Sequence, residues 1–170
     1  MKQIVTFSVK LAENPENMEA RANLAWISSW ALNGYFENGT GKIPICHAME
    51  HELSGYYDIP HNLTMAVIVP KWLRYVEKSG NRKEIARFGR MVFGIEAEDN
   101  SKAAIAAIEC LENFLYDSLN LFSSLKSFKE IKIDDFEKMA EHIAGQGTLS
   151  GLICLGKTDI INIYMDCYMI

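Results

Sequence analysis

The sequence predicts an all-α protein, a multi-helix bundle of six to eight helices. Three observations carry that expectation. Apolar residues recur at spacings of three and four along most of the chain. The periodic stretches open on Asn, Asp or Ser and close on Gly, the usual helix punctuation. No run of strand length alternates polar and apolar residues convincingly, and no G-x-G-x-x-G turn interrupts the pattern. The 170 residues are 49% hydrophobic and 23% charged, which suits one domain with a sizeable core.

The elements follow in order. Gln3–Val9 is rich in strand-forming residues but too short to assign. Asn17 opens a long amphipathic helix from Met18 to about Phe36, on which Leu24, Ile27, Ala31 and Tyr35 share a face. Asn38-Gly39-Thr40-Gly41 breaks it. A second helix runs from about Cys46 to Tyr56, closed by the loop Asp58-Ile59-Pro60. A third apolar run, Leu63 to Val76, contains Pro70. A proline lacks the backbone donor and crowds the preceding turn, so a kink or break is expected there. Arg82–Phe93 ends at Gly94, and a longer helix from Asn100 or Ser101 reaches about Leu121. Its core stripe is expected at Ile105, Ile108, Leu111, Leu115 and Leu119. A sixth runs from Asp134 or Asp135 to Gly145. A loop follows at Gly145-Gln146-Gly147 and Gly151, and the last helix begins at Thr158-Asp159. Trp26, Trp30 and Trp72 are expected in the core, with Met139, Met165 and Met169 as filler.

Charge and cysteine usage exclude several function classes. The net charge is −5 and there is no long run of Lys and Arg, which argues against nucleic acid and anionic membranes as partners. No stretch of about 18 apolar residues spans a bilayer. Cys46, Cys110, Cys154 and Cys167 form no C-x-x-C pair, so free thiols in a reducing cytoplasm are expected.

The chemistry-bearing residues cluster. Three of the four histidines, His47, His51 and His61, fall within fifteen residues. His47 and His51 are four apart and share one helix face, and the loop before His61 can fold that ring back toward them. Imidazole suits iron(II) and zinc. The acids Glu50, Glu52 and Asp58 are candidates to complete or orient such a site, without a reason in the sequence to choose between them. His47-Ala-Met-Glu50-His51 also satisfies H-x-x-E-H, a zinc-peptidase pattern with the glutamate as general base. His142 stands apart and is expected to be a surface or satisfied residue. Cys46 beside His47 points about 100° away from it on a helix, which argues against a thiolate ligand.

Ordered blocks resemble a known family. Asn17-Met18-Glu19-Ala20-Arg21-Ala22-Asn23-Leu24-Ala25-Trp26 is similar to the helix before the metal segment in the butanol-dehydrogenase-like branch of iron-containing (group III) alcohol dehydrogenases. Cys46 through His61, Ala66 to Trp72, Arg87 to Ile95 and Met139 to Tyr164 resemble later blocks of the same family in register. The resemblance implies the all-helical carboxyl-terminal domain of the dehydroquinate synthase-like fold, here residues 1–170 as a single metal-binding domain. It implies His47 and His61 as ligands of a divalent metal, Fe2+ or Zn2+, and His51 as a catalytic group handling the alcohol proton. Asn62 departs from the glycine that family members carry after the second ligand.

By the same resemblance the amino-terminal nucleotide-binding domain, which holds NAD(P), is absent from this chain. Small alcohols or aldehydes are the implied substrates, and the fragment alone is expected to be inactive. Apolar surface once shared with the other domain would favour a homodimer. The alternatives are the zinc peptidase and a non-catalytic relic or interaction module carrying inherited histidines.

Overall fold

The computed structural model describes residues 1–33, 44–128, 130–145 and 151–169. Among them are eight α-helices and no β-strand: α1 (Lys2–Glu13), α2 (Met18–Leu32), α3 (Ile45–Tyr57), α4 (His61–Lys78), α5 (Lys83–Phe93), α6 (Asn100–Glu112), α7 (Asp135–Gly145) and α8 (Lys157–Met169). A π-helical turn, Asn113–Ser118, extends α6, and a short 3-10 turn spans Leu125–Ser127.

The caps explain where the helices begin and end. Asn17 accepts from the Ala20 backbone N–H at 3.0 Å and opens α2. Asp99 does the same for α6 through Lys102 at 2.9 Å. Asp58, at φ 51°, closes α3 with its N–H on the Ser54 carbonyl, and Gly94, at φ 72°, closes α5. Asp159 accepts from the Gly156 N–H at 2.8 Å and tethers the start of α8. The expected continuation of α2 to Phe36, the break at Asn38–Gly41 and the loop at Gln146 and Gly147 lie outside the described residues.

Gln3–Val9 is part of α1. Its half-buried residues Ile4, Ser8 and Leu11 recur at helical spacing, and packing against α2 overrides the strand propensity of Val5-Thr6-Phe7. Pro70 does not break α4, which runs on to Lys78. Proline leaves the carbonyl four residues back without its helical donor. That carbonyl belongs to Ala66, and Tyr116 Oη–H donates to it at 3.2 Å from the π-helical turn.

The stripe expected on α6 is also corrected. Ile105 is exposed, and the buried face is Ala103, Ala104, Ala107 and Ile108. The reason is close approach: a Cβ on Gly89 of α5 would sit 2.5 Å from Ala107 Cβ. Small residues on both helices permit that contact. Trp26 and Trp30 are not core residues. They form an edge-on pair with centroids 5.8 Å apart on an exposed face of α2. Met139 is buried and Met165 packs against the core, as expected, but Met169 is exposed.

Two apolar cores result among the described residues. The larger joins α3, α4, α7 and α8 around Met49, Leu53, Ile68, Phe136, Met139 and Tyr164. The smaller joins α4, α5 and α6. The four cysteines are free thiols. Burial pushes Cys46 up to about 12, which removes it as a ready thiolate. No helix among the described residues is long and apolar enough to cross a membrane.

Candidate metal centre

The α3–α4 hairpin positions the histidines. On α3, residues 47, 50, 51 and 54 fall at i, i+3, i+4 and i+7, so they lie along one face. Asp58 turns the chain, Pro60 precedes the first turn of α4, and His61 is its first residue. Asn62 is helical there, so the position has no need of glycine's conformational range.

All three histidines come together. The ring centroids of His47 and His61 are 5.2 Å apart, those of His51 and His61 6.0 Å, and those of His47 and His51 6.1 Å. Beneath them lies Glu50, whose side chain is 0% exposed. Its carboxylate contacts His61 Nδ1 and lies 3.7 Å from His51 Nε2. Ser54 Oγ donates to the same carboxylate, and Thr64 Oγ1 lies 3.4 Å from it. The His51 and His61 side chains are 64% and 51% exposed. The centre is therefore an open imidazole face over a buried anion.

This arrangement has chemical consequences. A carboxylate only accepts, so its contact places the proton of a neutral His61 on Nδ1 and leaves Nε2 with a lone pair. Burial pushes the His47 imidazole below its ordinary range. The neighbouring His61 and His51 push the same way, while Glu50 pulls up. Neutral rings with free lone pairs are the ligand-competent form. Ligand atoms of Glu50, His51 and His61 all lie within 4.8 Å of one another, and His47 supplies the closest ring pair. Imidazole nitrogens suit iron(II) or zinc, and a carboxylate behind one ring is the usual orienting partner of such a ligand, so these residues fit a divalent metal.

Glu50 is the residue on which the sequence was silent among three acids. The signal available was its place at i+3 from His47 and i−1 from His51. Glu52 faces the other way and meets His142 Nδ1 at 2.7 Å, tying α3 to α7. That is the satisfied role expected of His142. Asp58 serves as the left-handed end of α3, and the carboxylate on His61 is that of Glu50.

The fold is an all-helical domain that carries a carboxylate-backed histidine cluster on one hairpin. Comparison with known proteins places it further. Residues 1–168 match the Fe-containing alcohol dehydrogenase family, C-terminal. The chain is 34% identical over 159 residues to NADH-dependent butanol dehydrogenase A of Clostridium acetobutylicum, covering 92% of this chain and 40% of that protein. It is 30% identical over 145 residues to NADP-dependent alcohol dehydrogenase 3 of Entamoeba histolytica, covering 85% of this chain and 36% of that one. The crystal structure of NADH-dependent butanol dehydrogenase A from Thermotoga maritima superposes with a TM-score of 0.85 at 30% identity, over 98% of this chain and 44% of that one. The chain belongs to the iron-containing alcohol dehydrogenase family and corresponds to its carboxyl-terminal helical domain. It spans about 40% of the length of the first of these relatives.

Proposed function

We propose that these residues form the metal-holding part of an NAD(P)-dependent alcohol dehydrogenase, interconverting small alcohols and aldehydes. The observation that carries this reading is the convergence of His47, His51 and His61 over the buried Glu50. His47 and His61 are the residues that would hold the divalent metal. When bound, such a metal supplies Lewis-acid polarisation of the substrate oxygen. Glu50 orients His61 and holds its proton on Nδ1, leaving Nε2 as the free nitrogen. His51, whose side chain is 64% exposed, takes the proton released by the alcohol and passes it to water.

The peptidase reading fares worse. A general base must reach a water molecule, whereas Glu50 is fully buried and committed to His61 and Ser54. A relic that keeps its histidines without binding metal is distinguished by the metal titration described below.

The 170 residues contain no G-x-G-x-x-G turn. We infer that the nicotinamide cofactor is held by a segment outside them, as the coverage of the longer relatives suggests. The chain by itself, supplied with butan-1-ol and NAD+ or NADP+, is then expected to show no turnover. It is expected to gain activity when co-expressed with the amino-terminal part of a butanol dehydrogenase. Robust turnover by the chain alone overturns this division of labour.

Self-association is part of the same proposal. Trp26 is 65% exposed on α2, a helix that packs against α1, and Met18 adds further exposed apolar surface. Light scattering is expected to report a dimer. A monodisperse monomer at high concentration contradicts it.

A further inference from the structure

Ser54 lies in the last turn of α3, just before the chain turns into α4, and its contacts reach both ways. Its backbone carbonyl accepts from the Asp58 N–H at 2.9 Å, the bond that closes α3 on a left-handed residue. Its hydroxyl lies 2.8 Å from the Ile59 carbonyl in the turn, and it also donates to Glu50 Oε1, one turn back on α3. A serine inside a helix ordinarily donates to the backbone carbonyl four residues back. Ser29 does so on α2, with its Oγ 2.9 Å from the Ala25 carbonyl. Ser54 departs from that pattern, because four residues back it meets the carboxylate of Glu50. Its one proton has two acceptors in reach, and the charged one takes the larger share of a three-centre bond.

The two oxygens of Glu50 thereby have separate partners. Oε1 meets Ser54 from α3 and, at 3.4 Å, Thr64 from α4. Oε2 meets His61 Nδ1 and, at 3.7 Å, His51 Nε2. Thr64 Oγ1 is nearer the His61 carbonyl, at 3.1 Å, so its hydroxyl is the lesser hold on the carboxylate. The last torsion of a glutamate side chain is broad, so it does not set the carboxylate plane by itself. Hydrogen bonds must set it. The Glu50 side chain is 0% exposed, so bulk water supplies no substitute donor.

We propose that Ser54 is a positioning residue of the metal centre. By holding Glu50 Oε1 beside the Ile59 carbonyl, it fixes the carboxylate plane against the first turn of α4. It thereby fixes the tautomer in which His61 presents a bare Nε2. This rests on the reading of Glu50 as the group that holds the His61 proton on Nδ1. Ser54 acts only through Glu50. Without its hydroxyl the buried carboxylate loses its main donor on Oε1, and its plane is free to turn. Oε2 then leaves Nδ1, and His61 divides its proton between the two ring nitrogens. A ring protonated on Nε2 has no lone pair to offer there.

The test reads the His61 ring before any metal is added. The chain has four histidines, and His61→Gln assigns one of the four pairs of ring nitrogen-15 NMR signals. Spectra are taken on the metal-free chain in mildly alkaline buffer, where free imidazole is neutral. A ring nitrogen with a proton resonates far from one without, so the tautomer is read directly. The expected result is Nδ1–H in the wild type, a mixture with Nε2–H in Ser54→Ala, and a return to Nδ1–H in Ser54→Thr, which restores the hydroxyl. Zinc affinity is expected to fall at least ~10-fold in Ser54→Ala and to recover in Ser54→Thr. Alanine is the best helix former, so the helical spectrum is expected to persist. An unchanged tautomer in Ser54→Ala overturns the proposal and leaves the Glu50 reading intact. Nε2–H in the wild type overturns both. A tautomer shift in chains that take up no zinc keeps the positioning role and removes the metal reading.

Discussion

Truncating Phe136 to alanine is expected to lower the unfolding free energy by about 3–5 kcal/mol, the usual cost of removing a buried aromatic ring. Phe136 is fully buried on α7. Its ring stacks on Tyr164 of α8, with centroids 5.1 Å apart and planes 24° apart, and meets Tyr168 edge-on at 6.1 Å. Deletion leaves a cavity and loses both ring contacts. The effect reaches the site, because the Tyr164 hydroxyl donates to the Met49 carbonyl at 2.6 Å. Met49 lies on α3 between His47 and His51, so a displaced Tyr164 loosens the helix that presents both imidazoles. Tyr164→Phe removes only the hydrogen bond and is expected to cost about 1 kcal/mol. Urea unfolding of the two variants beside the wild type reads the difference. A Phe136→Ala loss no larger than that of Tyr164→Phe means that this ring stack is not the centre of the core.

Replacing Glu50 with glutamine is expected to weaken iron(II) or zinc binding by about 10–100-fold while the helical spectrum stays unchanged. Glutamine preserves the shape of the buried side chain and removes its charge. The His61 ring then loses the anion that fixes its proton on Nδ1 and keeps Nε2 free to ligate. His51 loses the same anion at 3.7 Å. Affinity equal to that of the wild type would show that Glu50 only fills space beneath the histidines.

The helices were legible because their signals are local. Asn17, Asp58 and Gly94 end or begin elements through backbone geometry that a short window contains. The break expected as one outcome at Pro70 does not occur, for a reason settled at a distance. The carbonyl it frees is met by Tyr116, fifty residues on, which no local window contains. Ile105 and Trp26 failed for a related reason. Periodicity identifies an apolar face but not the surface that covers it. On α6 the small-residue face packs at Gly89 instead, and on α2 the tryptophans remain exposed. The histidine pair was legible from the spacing of four between His47 and His51. Glu50 and Glu52 could not be told apart, since α3 is buried on more than one side. The fold sends one carboxylate to His61 and the other to His142.

The most direct measurement is a titration of the anaerobically purified chain with iron(II) and with zinc, for the wild type and for His47→Ala and His61→Ala. The expected result is saturable binding by the wild type that either substitution abolishes, with a loss exceeding the ~100-fold that outer partners of a ligand can account for. A folded helical chain that takes up neither metal, or binds equally in all three forms, contradicts the assignment of this hairpin as a metal centre.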